Sequence, residues 1–288
     1  MQPDPPTALV FGASGQIGMP LLARLRAAGW QVLALSRTAR TRGEGLRWLQ
    51  GDFDTMPALP SAVDAIFSCG PLDLFARWVD EAPVAAPRVV AFGSTSVHVK
   101  QDSRDAGERD LARRLREAEA RLFAAAARRG FAATLLRPTL VYGAGRDASL
   151  TRIVALARRF GGIALPSDAR GLRQPVHVED LADAAMAACA ASATAGRGYD
   201  LPGGETLPYA EMVRRVLACE QPPLRAWQWP MPLFRLMLAT ARAGGMARGF
   251  GDEAVRRMGD DLVFDAGPAR RDFGYAPRPF RPVAGMFG

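Results

Sequence analysis

Short apolar runs recur through the first half of the chain, and each is followed by a polar turn or an amphipathic stretch. Such runs predict buried strands, here at 7–12, 30–37, 46–52, 63–70, 87–94 and 131–143. Amphipathic periodicity predicts helices over 20–29 and 107–130. Strands that are apolar on both faces and alternate with helices are typical of a parallel sheet covered on both sides. We therefore predict an α/β fold with a Rossmann-type doubly wound parallel sheet.

The alternation of strands and helices changes after Tyr142. Helices are predicted over 149–160 and 179–190, but glycine-rich and proline-rich loops surround them. Three short strand-like pieces remain, at 174–178, 198–203 and 261–265. We therefore predict a small C-terminal substrate-side lobe. The expected boundaries assign 1–145 and 173–195 to the Rossmann domain, and 146–172 and 196–288 to the lobe.

The segment 227–246 is unusually apolar and contains two tryptophans and three methionines. Packing against the Rossmann domain, a lid over a substrate, a dimer face and a helix that touches a membrane all fit this composition. Methionine supplies adaptable apolar contacts in each of these roles. The sequence therefore leaves a homodimer open.

The net charge of +8 raises nucleic-acid binding as a hypothesis. The arginines are spread along the whole chain without an aromatic-interleaved cluster, which favours an anionic small ligand. Three separated cysteines indicate no disulfide framework or zinc site, and two histidines are too few for a histidine-based metal site. There is no signal-peptide pattern and no run of about 20 apolar residues. We expect a cytoplasmic protein without a metal, a transmembrane helix or a nucleic-acid partner.

A glycine motif lies between the first predicted strand and the first predicted helix. Gly12 permits a tight turn, Gly15 lets a diphosphate approach the backbone, and Gly18 lets the helix pack closely on the strand. The start of the helix then presents free N–H groups to the phosphates. The context predicts a dinucleotide site. Its expected members also include Ser14, Gln16 and Ile17.

The end of the second strand indicates which dinucleotide is bound. An acidic residue there would hold the ribose 2′-hydroxyl of NAD. This chain has Ser36 and Arg37 instead, with Arg40 close behind. Because Arg37 can pair with a 2′-phosphate, we predict NADP(H) in preference to NAD(H).

Several motifs resemble the short-chain dehydrogenase/reductase superfamily, in its extended or atypical branch of sugar-nucleotide epimerases and dehydratases. They are GASGQIG (12–18), GDFD (51–54), STSV (94–97), LRPTLVYG (136–143), RQPVHVEDLA (173–182) and DLVFDAGPARRDFGYAPRPF (261–280). The resemblance implies that Asp52 and Phe53 border the adenine. It also implies that Cys69 and Gly70 line the cofactor, and that Pro138 lies near the nicotinamide.

The chain departs from that family at its catalytic dyad. The resemblance implies a serine that binds the substrate, and Ser94 fits its position. The family also uses Tyr-x-x-x-Lys, in which the tyrosine is a general acid or base. Here Leu111 stands where the tyrosine belongs and Leu115 where the lysine belongs, and Lys100 is the only lysine in the chain.

Three explanations of the missing dyad remain open. The chemistry uses substitutes, with His98 or Tyr142 as acid or base and Lys100 or an arginine near the ribose. Alternatively, the protein binds NADP as a sensor or structural protein without turnover. In the third explanation, it binds a substrate without using the cofactor.

Two arginines favour an anionic substrate. The resemblance implies diphosphate contacts for Arg173, before the strand 174–178, and for Arg257. Two guanidinium groups from separate segments would suit a diphosphate. We therefore expect an atypical NADP-binding oxidoreductase or epimerase/dehydratase-like protein that acts on a polar substrate such as a sugar nucleotide. The alternative is a non-catalytic NADP-binding protein.

Overall fold

The computed structural model describes residues 4–147, 149–243 and 251–287. The strands are β1 (Thr7–Phe11), β2 (Gln31–Ser36), β3 (Leu46–Gln50), β4 (Ala65–Ser68), β5 (Arg88–Phe92), β6 (Ala132–Pro138), β7 (Val141–Tyr142), β8 (Gly162–Pro166), β9 (Leu172–Arg173), β10 (Val176–His177), β11 (Arg197–Leu201), β12 (Leu207–Pro208) and β13 (Arg225–Trp229). The α-helices are α1 (Gly18–Ala27), α2 (Leu72–Glu81), α3 (Ser96–Val99), α4 (Ala106–Arg129), α5 (Leu150–Phe160), α6 (Val178–Ala190), α7 (Tyr209–Ala218), α8 (Met231–Ala243), α9 (Asp252–Arg256) and α10 (Gly267–Phe273).

Seven strands form one sheet in the order β11–β6–β5–β4–β1–β2–β3. Every neighbouring pair in this sheet is parallel. The order runs outward in both directions from β1 and β4, which is the doubly wound arrangement. The predicted fold class is therefore confirmed.

Strand β1 shows why the sheet carries helices on both faces. Ala8 and Val10 belong to an apolar cluster with residues of α1 and α6, whereas Leu9 and Phe11 belong to a second cluster with residues of α2 and α4. Successive side chains of a strand point to opposite faces, so a strand apolar at every position needs cover on both. Full burial of each large apolar side chain contributes about 1.5–3 kcal/mol.

The two strand-like pieces at 198–203 and 261–265 behave differently from the expectation. The first forms β11, which pairs with β6 as the seventh strand of the main sheet and so does not belong to the lobe. The second forms no strand, because its backbone bonds elsewhere: Phe264 N donates to the Gln174 side chain at 2.8 Å. The remaining division into Rossmann domain and lobe stays a prediction.

A third apolar cluster lies in what we call the C-terminal lobe, which contains α5, α7 and the parallel pair β8–β13. The apolar segment predicted at 227–246 forms part of β13 and all of α8, and its residues 244–246 lie outside the described residues. Its exposed side chains include Trp227, Trp229, Leu233 and Leu236. No described helix is long and apolar enough to cross a membrane.

Candidate functional site

The glycine turn between β1 and α1 leaves no room for a side chain at Gly12 or Gly18. Gly12 has a φ of +65°, and a Cβ there would lie 2.6 Å from the backbone nitrogen of Gly70. A Cβ at Gly18 would lie 2.3 Å from the carbonyl oxygen of Gly12. Gly15 N donates to the same oxygen at 2.9 Å, which closes the turn. The turn therefore needs glycine for its conformation and for its close contacts.

The glycine turn lies at the carboxyl end of β1, in the middle of the main sheet. Strands β1 and β4 are neighbours, and the chain winds away from them in opposite directions. In open parallel sheets, ligands bind at the carboxyl ends of such strands. Gly12 follows β1, and Cys69 and Gly70 follow β4. The predicted cofactor residues Gly12, Cys69 and Gly70 are therefore brought together.

Two polar atoms near this edge fit a polar ligand. Gln16 Oε1, in the turn, and Ser68 Oγ, at the end of β4, are buried without a hydrogen-bond partner. Buried polar atoms are usually paired, so these two require an explanation. Together with the side-chain-free glycine backbone, they fit a dinucleotide at the turn. Of the other predicted turn residues, Ile17 is buried in the core and Ser14 is half-buried.

The end of β2 combines a buried hydroxyl with exposed arginines. Ser36 Oγ accepts from Thr38 N at 3.3 Å and from Arg40 Nε at 3.4 Å. The Arg40 guanidinium also lies 5.0 Å from the centre of the Trp48 ring. Arg37 is exposed. Positive charge is thus concentrated where a 2′-phosphate was predicted.

Asp52 and Phe53 lie just after β3. Asp52 Oδ1 accepts from the backbone and hydroxyl of Thr55, both at 2.8 Å. These hydrogen bonds, with a smaller contribution from the charge of Arg37, lower the pKa of Asp52 below its ordinary value. Phe53 stacks on Phe11 with ring centres 5.2 Å apart. Both predicted residues are therefore held in fixed positions at the same edge as the glycine turn.

Cys69 and Pro138, two further residues predicted to line the cofactor, lie at the ends of β4 and β6. Burial raises the pKa of the Cys69 thiol to about 12. The thiol is therefore uncharged at neutral pH and is not a nucleophile. The Pro138 carbonyl accepts from the backbone and the hydroxyl of Thr95, each at 3.2 Å. These bonds tie the end of β6 to the segment that follows β5.

The segment after β5 carries Ser94 and His98. Ser94 is half-buried, and its Oγ accepts from Ser96 N at 3.1 Å. His98 lies on the short helix α3 with 46% of its side chain exposed. Its Nε2 is 3.2 Å from Asp200 Oδ1 on β11. The pairing gives the imidazole a defined orientation, because a carboxylate partner selects the tautomer that donates to it.

A charged network extends behind His98. Arg137 on β6 donates to both carboxylate oxygens of Glu119 on α4, at 2.8 and 2.7 Å, and lies 3.6 Å from Asp200. Burial opposes the charge of Arg137, but its hydrogen bonds to Glu119 hold its pKa above the ordinary value. Glu119, Arg137 and Asp200 were not predicted as site residues. No spacing in the sequence connects them, because each belongs to a different element.

Tyr142 belongs to the third apolar cluster. It is 1% exposed, and its ring packs edge-on against His177 and Phe280. Its hydroxyl accepts from the backbone N–H of Arg281, and burial raises its pKa. These contacts make Tyr142 a buried residue of the third apolar cluster, and its catalytic role stays a prediction that would require the ring to become accessible. Nδ1 of the neighbouring His177 accepts from Glu179 N at the start of α6.

The two predicted substrate arginines converge but are already engaged. Arg173 is buried and donates to the carbonyl oxygens of Leu172, Asp260 and Arg257. The Arg257 side chain donates to both carboxylate oxygens of Glu108 at the start of α4. The same carboxylate contacts Lys100 at 3.7 Å. Diphosphate binding by these arginines therefore stays a prediction and would require exchange of partners.

The positions of the missing dyad lie on α4. Leu111 and Leu115 are both partly buried, and Leu115 packs against the apolar cluster beneath the helix. A shifted alignment would put Arg109 and Arg113 in these positions. Arg109 donates to the Ser103 and Arg104 carbonyls, and Arg113 pairs with Asp110 and Glu117. Neither arrangement supplies a phenol.

An open parallel sheet with a glycine turn at its switch point defines a Rossmann-type nucleotide-binding fold. The solved structure of MoeE5 in complex with UDP-glucose and NAD has this fold, with a TM-score of 0.67 and 21% identity over 95% of this chain and 94% of that one. The sequence model of the NAD dependent epimerase/dehydratase family matches residues 110–201.

Two curated relatives are similar over part of the chain. The 2-alkyl-3-oxoalkanoate reductase of Stenotrophomonas maltophilia (strain K279a) is 29% identical over 158 residues, which are 51% of this chain and 47% of that protein. The UDP-glucose 4-epimerase of Vibrio cholerae is 28% identical over 181 residues, which are 62% of this chain and 52% of that protein. The match thus spans about half the length of each relative. Residues 110–201 are thus similar in sequence to the NAD dependent epimerase/dehydratase family, and nearly the whole chain shares the fold of MoeE5.

Proposed function

We propose that the protein binds NADP(H) at the turn 12–18 and acts as an atypical oxidoreductase or epimerase/dehydratase-like enzyme. The observation that carries the proposal is the glycine turn, in which a Cβ at Gly12 would clash with the backbone of Cys69 and Gly70 and a Cβ at Gly18 would clash with the backbone of Gly12 and Ala13. A bound nicotinamide dinucleotide would supply hydride transfer. Arg37 and Arg40 support the phosphorylated cofactor, because no carboxylate ends β2.

Ser94 and His98 would act on the substrate. The Ser94 hydroxyl would donate a hydrogen bond to a substrate oxygen. The imidazole of His98 would give or take a proton, and Asp200 would hold its Nε2–H in place. His98 is exposed and can reach a ligand, unlike the buried Tyr142.

The substrate we propose is polar, with sugar nucleotides as the first class to test. One curated relative is a UDP-glucose 4-epimerase, and the MoeE5 structure contains UDP-glucose. Arg173 and Arg257 would contribute only if a diphosphate displaced their present partners. A homodimer, a cytoplasmic location and a lack of nucleic-acid binding stay predictions.

A second function is favoured by Leu111 and Leu115, which fill the positions of the family's dyad with apolar side chains. Under this alternative the protein binds NADP(H) without turnover. Replacement of His98 would then leave every measurable property of the bound cofactor unchanged. Both functions require the same cofactor site, so binding is measured first.

The test is a fluorescence titration of the purified protein with NADPH and, in parallel, with NADH. We expect NADPH to bind at least tenfold more tightly than NADH, and Arg37→Ala to remove that difference. Absence of binding for both would overturn the proposal. Incubation with NADPH or NADP⁺ and a panel that includes UDP-glucose then separates the enzyme from the non-catalytic alternative.

A further inference from the structure

Arg146 reaches the glycine turn from a distant part of the chain. Its guanidinium NH1 donates to the Ser14 carbonyl at 2.8 Å, although 132 residues separate the two. Arg146 belongs to the loop between β7 and α5, and Ser14 lies inside the turn between β1 and α1. The sequence did not single out this arginine, because only the fold brings the loop over the turn.

The backbone on both sides of Arg146 is fixed. Gly145 has a φ of +62°, and its N–H donates to the Met286 carbonyl at 2.8 Å. The buried Asp147 caps α5, with its carboxylate accepting from Ser149 N at 3.0 Å and from the Thr151 hydroxyl at 2.7 Å. The loop therefore presents Arg146 in one place while its side chain stays exposed.

The charge of Arg146 is not neutralised by a neighbouring carboxylate among the described residues. Arg24, Arg137 and Arg257 each form an ion pair with a carboxylate. Arg146 instead donates to the neutral carbonyl of Ser14. A guanidinium has five N–H donors, so most remain available after one bond to Ser14. A free cation beside a glycine turn and a helix start suits a negatively charged group.

We propose that Arg146 binds the diphosphate of the dinucleotide from the side opposite the glycine backbone. This inference rests on the proposed cofactor site and adds to it a clamp contributed by the loop before α5. The planar guanidinium can give two parallel hydrogen bonds to phosphate oxygens. The backbone N–H groups of the turn and the Arg146 side chain would then hold the diphosphate between them.

The clamp is tested by the affinities of Arg146→Ala, Arg146→Lys and a control, Arg235→Ala, which removes an exposed arginine on α8. Fluorescence titration with NADPH measures the dissociation constants. Competition with adenosine 2′-monophosphate, which keeps the 2′-phosphate but has neither phosphate of the diphosphate bridge, isolates the contribution of the diphosphate. Thermal unfolding midpoints verify that each variant is folded.

We expect Arg146→Ala to weaken NADPH at least tenfold and Arg146→Lys to weaken it less, since lysine keeps the charge but loses the fork. Arg235→Ala should bind like the unaltered protein. The affinity for adenosine 2′-monophosphate should change less than twofold in all variants. Unaltered NADPH affinity in Arg146→Ala, or an equal loss for both ligands, overturns the clamp alone. If the unaltered protein binds neither NADPH nor NADH, the cofactor site and the clamp are both overturned.

Discussion

His98 Nε2 lies 3.2 Å from Asp200 Oδ1, although 102 residues separate the two in the chain. Asp200 is itself 3.6 Å from Arg137, whose other partner is Glu119. The imidazole at the end of α3 is thus connected to a charged network that reaches β11, β6 and α4. This arrangement holds the imidazole of His98 in a defined orientation while its side chain stays partly exposed.

If His98 transfers a proton, its removal should be costly. We expect His98→Ala to lower kcat about 10²–10⁴-fold, which is the usual contribution of a general acid or base. Asp200→Asn should lower kcat less, because the imidazole remains but loses its charged partner. The measurement is steady-state turnover of NADPH with the substrate found in the screen.

Asp102→Asn is the matched control, since Asp102 is an exposed aspartate in the loop after α3. Its kcat should equal that of the unaltered protein. Ser94→Ala should also reduce turnover. Full activity in His98→Ala would assign proton transfer to another residue, and full activity in Ser94→Ala would show that the proposed active site is misplaced.

The Glu119–Arg137 pair should contribute to stability. The two side chains are only 12% and 16% exposed, so Glu119→Gln removes the charge partner of a largely buried guanidinium. Breaking a buried pair in this way costs about 3 kcal/mol or more in free energy of unfolding. Urea denaturation at pH 7 measures the change.

The same helix offers a control in Glu117, which pairs with Arg113 at the surface with both side chains more than half exposed. Exposed pairs contribute at most about 1 kcal/mol. Glu117→Gln should therefore barely shift the urea midpoint. Equal effects of the two substitutions would mean that burial of the Glu119–Arg137 pair does not matter to stability.

Glu108 makes stability depend on pH. Burial alone would raise its pKa, but hydrogen bonds from Arg257 and Ser103 and the charge of Lys100 lower it below the ordinary value of 4.5. A carboxylate with a depressed pKa in the folded state stabilises the fold above about pH 4.5, and this contribution is lost as the pH falls through the folded-state value.

We therefore expect Glu108→Gln to be less stable than the unaltered protein at pH 7. The difference between the two should shrink steadily as the pH is lowered from 5 to 3. Urea denaturation across that range measures it, with Glu117→Gln as a control for general charge effects. A difference that is independent of pH would show that ionised Glu108 is not what stabilises this contact.

The main sheet was predictable because its determinants are local. An apolar run such as 7–12 predicts a strand of a parallel sheet that is covered on both faces. Three glycines at 12, 15 and 18, directly after a strand, predict a tight turn that leads into a helix. The structure agrees on both points. By contrast, residues 261–265 have a strand-like composition but form no strand, because Leu262 N donates to the Leu172 carbonyl and Phe264 N to the Gln174 side chain, so the local pattern was misleading.

The candidate site was less predictable because its contacts join distant elements. Tyr142 looks available in the sequence, yet Phe280 and His177 enclose it. Asp200 was read as part of a strand in the lobe, whereas β11 lies beside β6 and brings its carboxylate to His98. Neither outcome follows from spacing, since both depend on the order of strands in the sheet.

Strand β11 belongs to the main sheet, although it lies between elements of the C-terminal lobe in the sequence. The chain leaves the main sheet after β6 to build α5 and β8, returns through α6 to add β11, and leaves again for α7 and β13. Afterwards α10 packs against β11, while Phe280 and Phe287 return to the lobe. No single cleavage of the backbone can therefore release the lobe as a separate piece.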